Sequence, residues 1–434
     1  MELNLEAEDA KDWSYRGEGS LNIVLAYGGS STQLLGKVLR IQKVAGKEQL
    51  ARSDPPLTEI ERLVWMEEPE LARCRTKEVV NHLYTRLVMS PLLNPAFVDP
   101  GICVRVSRDF LIAIEKKVDG LRPPWRVAAA NICHFNRFAI LISDHSVFPT
   151  GGPCLSVEIK PKCGFLPTSK FIDEQHSFKK NVTRYQMHQL LKLNRNEVSE
   201  ISQYDPLDLF SGDKDRIQKA VRDLYATPQN NLRVFLNGIL IFGGLGGGTG
   251  KTSPAITNAF EQELQNFIMQ QDESIVDSFI KLVADTIYDS GVLDPLLQAQ
   301  KLDKLDIEGV IHAYYNIVSQ PCSVCSQLPE SERLRKFGSL HSMGMDECLK
   351  IVKEYLIATT AKDCSIMISY KPKAEGSEHS SAEDPQITLS AQTFNYKVNY
   401  IDLDLKSVVK MEDYYKLDKK ILMNYARTTI GEYE

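Results

Sequence analysis

The chain has 434 residues, 51 Lys+Arg against 57 Asp+Glu, a net charge of −6, and 43% apolar residues. That composition supports a sizeable folded core over two or three structural units and excludes a disordered chain. The acidic balance argues against nucleic acid or a membrane surface as bulk partners, but it leaves room for a local basic pocket.

Tyr15-Arg-Gly17-Glu-Gly19-Ser-Leu-Asn22 places two glycines where a strand–turn–strand loop brings backbone N–H groups close to phosphates. Asn22 stands where a third glycine would complete G-x-G-x-x-G, and an ordinary turn accounts for the same residues. Leu21–Tyr27 and Lys37–Lys43 read as strands around a Gly-Gly-Ser-Ser turn. Arg40 shares a strand face with Val38 and Gln42, so it points either into a cleft or to solvent at an edge. Helical periodicity covers Leu57–Glu67 and Lys77–Met89, with Pro91 expected to stop the second. Leu155–Lys160 reads as a strand and Ser177–Arg195 as a helix.

Arg233–Leu236 and Ile239–Phe242 flank Asn237-Gly238, a strong hairpin signal. The glycine-rich stretch Gly243–Thr252 resembles a P-loop, but Leu245 occupies the position of its first glycine and Pro254 falls where its helix should be running. Helices are predicted from Pro254 to about Tyr315 and over Asp346–Ala361, with Asp346 as N-cap. Cys364–Tyr370 and Phe394–Leu403 read as strands around a polar, disordered excursion at Lys371–Gln386. A last helix covers Met411–Tyr425. No apolar run is long enough to cross a bilayer, and acidic Met1–Lys11 lacks a signal-peptide core, so an intracellular protein of nucleus or cytosol is expected. The nine cysteines are then expected to stay unpaired.

Four groups of residues carry candidate chemistry. Glu158 and Lys160 share one strand face, and Pro161 fixes a turn carrying Lys162; the pattern suits an anion or a lysine-protected edge strand. Arg184, His188 and Lys192 recur every four residues as one helical stripe, which fits a multiply phosphorylated ligand or a solvated basic face. Asp363 begins one strand and Asp402 ends the next, so antiparallel pairing brings them to one end. Phosphoryl transfer needs such a pair, one carboxylate for the hydroxyl and one for Mg²⁺, whereas turn aspartates are a common alternative. Cys322-x-x-Cys325, with His312 and His341 on either side, offers four ligands suited to tetrahedral Zn²⁺, or two free thiols and unrelated histidines.

At Val157-Glu-Ile-Lys-Pro-Lys-Cys-Gly-Phe-Leu166 the sequence resembles the inositol-pentakisphosphate 2-kinases, most closely their plant form. The resemblance continues through Tyr15–Gly19, Gly36–Arg40, Arg184–Lys192, Tyr204–Gly212, Thr227–Asn231, Ala361–Ser365 and Tyr414–Lys420. The P-x-x-x-D-x-K-x-G signature of other inositol-polyphosphate kinases is absent. The resemblance implies an α+β, two-lobed, kinase-like fold with an N-terminal lobe over residues 1–145 and an enlarged C-terminal lobe over 146–434. It implies ATP and inositol 1,3,4,5,6-pentakisphosphate as substrates, phytic acid as product, Mg²⁺ and structural Zn²⁺ as metals, and action as a monomer.

By the same resemblance Asp363 is the catalytic base, Asp402 the Mg²⁺ ligand, and Lys160 a lysine at the transferring phosphate. Gly17, Gly19, Asn22, Arg40, Asp144, His145 and Glu158 fall on nucleotide contacts. Arg126, Lys162, His188, Lys192, Asn230, Lys406, Lys410 and Tyr414 fall on the inositide pocket. His312, Cys322, Cys325 and His341 fall on the zinc ligands. Two positions depart from the family pattern: Ser143 replaces Asn beside the adenine, and Lys410 replaces Arg in the inositide pocket, keeping the charge and losing the bidentate fork. The alternative function is a catalytically silent inositol-polyphosphate scaffold, which needs neither Asp363 nor Asp402 beside a polyanion.

Overall fold

The computed structural model describes residues 3–19, 21–44, 56–148, 150–244, 254–269, 274–326, 328–373 and 384–429. Its architecture is α+β, with two sheets and many helices. The first sheet holds β1 (Asn4–Leu5), β2 (Trp13–Glu18), β3 (Asn22–Tyr27), β4 (Lys37–Val44), β5 (Ile102–Val106), β6 (Asn131–Ile132) and β7 (Phe138–Ser143). Its order is β1-β5-β7-β4-β3-β2, with β6 beside β4. Trp13, Ile23, Leu25, Leu39 and Ile41 alternate toward one face, and Phe110, Leu111 and Ile114 of helix Arg108–Val118 cover it.

The second sheet holds β8 (Leu155–Ile159), β9 (Leu232–Leu236), β10 (Ile239–Phe242), β11 (Ser365–Pro372), β12 (Gln386–Leu389) and β13 (Gln392–Ile401), in the order β10-β9-β8-β11-β13-β12. Helices Ile275–Ser290, Asp306–Ile317 and Met345–Ala361 bury their apolar faces in the core shared with this sheet. Leu57–Val98 packs into that same core. All nine cysteines are free thiols. No described helix is long and apolar enough to cross a membrane.

Several local expectations shift. Pro91 does not stop the helix. Lys77–Tyr84 widens into a π turn over Thr85–Met89, and the helix resumes through Ser90–Leu93 before ending at Asn94, which has φ 70°. The wider turn precedes the residue that lacks an N–H, where the regular ladder would have failed. Ser177–Arg195 splits into a 3₁₀ turn, Glu174–Lys180, and helix Arg184–Asn194. The second part is restarted by a capping box, with Gln186 N–H on Thr183 Oγ1 at 3.2 Å and Thr183 N–H on Gln186 Oε1 at 3.1 Å.

Asp346 lies in the first turn of Met345–Ala361, and Gly344 is its N-cap. The predicted Asn237-Gly238 turn is present, with φ 49° and 78° at its two residues. Residues 245–252 of the glycine-rich stretch and 374–383 of the polar excursion lie outside the described residues. Both ends of the predicted excursion are strand: Lys371 and Pro372 continue β11, and Gln386 begins β12, which pairs with β13.

Candidate active site

The two sheets face each other across a cavity of about 280 Å³. Gly17 and Gly19 line it at the β2–β3 turn, where Gly17 pairs with Val24 past a bulge and Gly19 N–H bonds Asn22 O at 2.9 Å. A Cβ added at either glycine meets nothing within 4 Å, so the backbone there is open to a close-approaching group. Glu18, between them, is turned inward. Its carboxylate accepts Arg122 Nε at 2.8 Å and Nη2 at 3.0 Å, and it pairs with Lys43, all three side chains being at most 3% exposed.

Arg40 lies on interior strand β4 and lines the cavity, with Nη2 3.2 Å from Asp404 Oδ2; the edge-charge alternative does not hold. Asn22 Nδ2 reaches the same oxygen at 3.2 Å. Asp144 and His145 follow β7 and line the cavity, as does Ser143, whose Oγ accepts from Lys37 at 3.1 Å. Asp144 is paired with Arg16 at 2.6 Å, and His145 Nε2 is buried without a partner. Glu158 accepts Ser365 Oγ at 2.9 Å and Arg233 Nη1 at 3.2 Å. Because β8 pairs with β9 and β11 on its two sides, the lysine-protected-edge alternative fails.

Ser365 pairs with Ile401, which sets Asp363 and Asp402 at the same end of the β11–β13 hairpin, and Asp402 lines the cavity. Lys160 Nζ lies 3.4 Å from Asp402, Lys162 Nζ 3.5 Å from Asp363, and Lys406 Nζ 2.7 Å from Asp363. Burial pushes the Asp363 carboxyl up, but Lys162 and Lys406 outweigh it and hold it at about 2. Burial likewise opposes the charge on Asp402, and Lys160 and Arg40 together keep it below the usual carboxylate range. Lys162 is driven by burial down to about 8; Asp363 resists that shift, and Lys160 and Lys192 add to it.

The helical stripe meets this cluster. Burial, then the charges of Arg184, Lys192 and Lys162, drive His188 down to about 3, so it is neutral near pH 7. Tyr414 lies in the first turn of the final helix, Met411–Thr429, and is raised to about 12 by burial and then by Asp363. Lys410 is exposed at the end of the 3₁₀ turn Val408–Lys410, and Asn230 lies in the turn before β9. Arg126 is placed differently from the other inositide candidates. It sits on the short helix Pro124–Ala129, stacked 4.1 Å from the Trp125 ring, in the wall of the cavity that Gly17 and Gly19 line.

His312, Cys322, Cys325 and His341 converge, with all four ligand atoms within 4.8 Å of one another. His312 Nδ1 is 3.3 Å from Cys322 Sγ and 3.1 Å from His341 Nε2, which is 3.3 Å from Cys325 Sγ. Tetrahedral Zn²⁺ with bonds of about 2.0–2.3 Å has ligand–ligand edges of about 3.3–3.8 Å, close to these values. His341 Nδ1 lies 3.2 Å from Asn316 Oδ1, an outer partner of the kind that orients metal-bound imidazoles.

Sequence reading passed over Arg16, Arg233 and Asp404, all in the cavity wall. Asp404 had one usable signal, its i+2 spacing from Asp402. Arg16 and Arg233 had none, because their partners Asp144 and Glu158 lie far away in sequence.

The inositol-pentakisphosphate 2-kinase family profile matches residues 15–420. An inositol-pentakisphosphate 2-kinase of Arabidopsis thaliana is 52% identical over 440 residues, covering 100% of this chain and 97% of the relative. One from Oryza sativa subsp. japonica is 46% identical over 98% of this chain and 96% of its own length. One from Danio rerio is 30% identical over 98% and 95%. A carboxylate pair, a cationic cluster and a glycine-lined cavity in one cleft thus sit in a sequence matched almost end to end, and the chain belongs to the inositol-pentakisphosphate 2-kinase family.

Proposed function

We propose that this chain transfers the γ-phosphate of ATP to the 2-hydroxyl of inositol 1,3,4,5,6-pentakisphosphate, giving inositol hexakisphosphate. The observation that carries this reading is the position of Asp363 and Asp402, side by side at one hairpin end, between the glycine-lined cavity and the Lys162–His188–Lys192 cluster. ATP occupies the cavity with its phosphates near Gly17, Gly19 and Arg40, its base near Asp144 and His145, and its ribose near Glu158. The inositide lies against Lys162, His188, Lys192, Asn230, Lys406, Lys410 and Tyr414, with Arg126 reaching it from the cavity wall.

Asp363 orients the attacking hydroxyl and accepts its proton. The hydroxyl oxygen bonds to the γ-phosphorus as the bond to ADP breaks. A carboxylate held at about 2 takes that proton late, once the oxygen has become acidic through its bond to phosphorus, which suits a loose transition state. Lys160 neutralises charge on the moving phosphoryl group. Asp402, kept ionised, would hold Mg²⁺, which would offset the negative charge of the nucleotide phosphates. The four-residue His/Cys group would hold Zn²⁺ as a structural tie between helix Asp306–Ile317 and helix Glu330–His341.

In this reading residues 1–145 form the nucleotide-binding lobe and 146–434 the catalytic and inositide-binding lobe of a kinase-like fold. Action as a monomer belongs to the same reading, as does an intracellular site, in nucleus or cytoplasm. The −6 charge supports a role without nucleic acid or membrane. The test is product analysis with ATP, Mg²⁺ and a panel of inositol phosphates. Hexakisphosphate should form from the pentakisphosphate, and Asp363→Ala should lower turnover by about 10²–10⁴-fold while inositide binding persists. ATP consumption that ignores the inositide, or full activity in the variant, refutes the reading.

A further inference from the structure

Three consecutive carbonyls of the Lys160-Pro161-Lys162 turn are each held by a buried side chain from a different segment. Asn231 Nδ2 donates to Lys160 O at 3.0 Å, Tyr204 Oη to Pro161 O at 2.8 Å, and Gln300 Nε2 to Lys162 O at 2.8 Å. Asn231 is 1% exposed, and Tyr204 and Gln300 are 0% exposed. Gln300 does more. Its Oε1 accepts the Gly164 amide at 2.8 Å, and its Nε2 also reaches Ala361 O at 3.2 Å, two residues before Asp363. One side chain therefore joins the turn that carries the two lysines to the segment that carries the carboxylate.

This turn needs holding. Pro161 lacks the N–H that would continue the ladder of β8. Lys162 has φ 63°, a left-handed conformation that a lysine adopts at a steric cost. Its carbonyl is thereby swung inward, away from any strand partner, and a buried carbonyl without a donor is costly. Gly164 is packed so closely that a Cβ would fall 2.3 Å from the Phe210 ring, which leaves this backbone little room to relax. The outcome of the strained turn is that Lys160 stands at Asp402 and Lys162 at Asp363.

We propose that Gln300, assisted by Tyr204 and Asn231, is a positioning residue for phosphoryl transfer, locking the Lys160–Lys162 turn against the Asp363 segment. The inference rests on the proposed function. None of the three side chains needs to touch a substrate; they act through the two lysines. A misplacement of about 1 Å at such a site lowers turnover by up to about 10²-fold.

Gln300→Met keeps the volume and removes the amide. Gln300→Glu keeps one acceptor oxygen and sets the other against two carbonyls. Both are expected to lower kcat at least tenfold while KM for ATP stays within twofold of wild type, since the ATP cavity is untouched. The alkaline limit of inositide binding should also move in both, because the Lys162–Asp363 spacing changes. Tyr204→Phe, which removes one hydroxyl and no ring volume, is the gentler arm should the Gln300 variants fail to fold; it should lower kcat about threefold or more with the same split. The inference is overturned by folded variants with kcat within twofold of wild type. It is equally overturned if the fall in kcat is fully accounted for by the lost folded fraction, so that kcat per folded molecule and the alkaline limit of inositide binding stay at wild-type values. A wild-type chain inactive on the inositide removes the functional reading and this inference with it, whereas an active wild type with unaffected variants removes only the inference.

Discussion

Raising the pH from 7 to 9 should weaken inositide binding through Lys162 well before an ordinary lysine loses its charge. Burial sets its proton loss at about 8, against about 10.5 for an exposed lysine. At that value about 90% of the side chain is charged at pH 7 and about 10% at pH 9, so affinity for a polyanion that requires the charge falls about tenfold over the interval. By pH 9.5 the loss reaches about thirtyfold, as long as the bound form keeps its proton.

Competing effects have the opposite sign or a known size. Further ionisation of the ligand's phosphates only strengthens binding as pH rises, so it cannot produce the fall. Folding does not explain the loss either: the unfolded chain holds this proton up to about 10.5 and the folded chain only to about 8, so this group's contribution to stability grows between those values. Lys160 is raised by Asp402 and Glu158 against the pull of burial and keeps its charge, while Lys192 is lowered by burial and contributes in the same direction as Lys162. Calorimetric titration of inositol pentakisphosphate at fixed ionic strength, from pH 7 to 9.5, measures the slope; fixed salt matters because surface attraction is screened. Lys162→Arg keeps the charge and should flatten most of the fall. A flat wild-type profile, or equal slopes in both proteins, refutes the assignment.

Asp402→Asn should raise the Mg²⁺ concentration needed for half-maximal rate and lower kcat, with inositide affinity retained; an unchanged Mg²⁺ requirement removes Asp402 as the ligand. Purified protein should carry about one equivalent of zinc, and Cys322→Ser with Cys325→Ser should lower both zinc content and melting temperature; metal-free protein of full stability contradicts a structural site. Arg122→Met leaves Glu18 buried with only Lys43 and the Tyr15 hydroxyl and should cost about 3–5 kcal/mol in denaturant unfolding, the penalty for breaking a buried charge network. Lys410→Arg restores a forked donor and should tighten inositide binding about threefold, a gain readable in the same calorimeter.

Much of this site follows from short-range regularity. Cys364–Tyr370 and Phe394–Leu403 are legible as strands, and their antiparallel pairing is enough to bring Asp363 and Asp402 to one end. The four-residue spacing of Arg184, His188 and Lys192 placed them on one helical face whatever that helix packs against. Asn237-Gly238 predicted its turn because few other residues accept two positive φ values. The misplaced boundaries have local causes as well: a π turn absorbed Pro91, and a Thr183–Gln186 capping box restarted a helix read as continuous.

What the sequence by itself determined, then, is which residues share a face or an end, because side-chain periodicity in strands and helices is a property of a few neighbouring residues. Only the tertiary structure decided which faces meet. It made β8 a central strand, set Arg122 beneath Glu18, moved Arg126 to the cavity wall, and brought Asn231, Tyr204 and Gln300 onto three successive carbonyls. Those partners lie tens to more than a hundred residues apart, and their meeting depends on how whole elements close over a common core, which no local spacing records. The depressed protonation of Lys162 belongs to the same class, since burial and neighbouring charge exist only once the chain has folded.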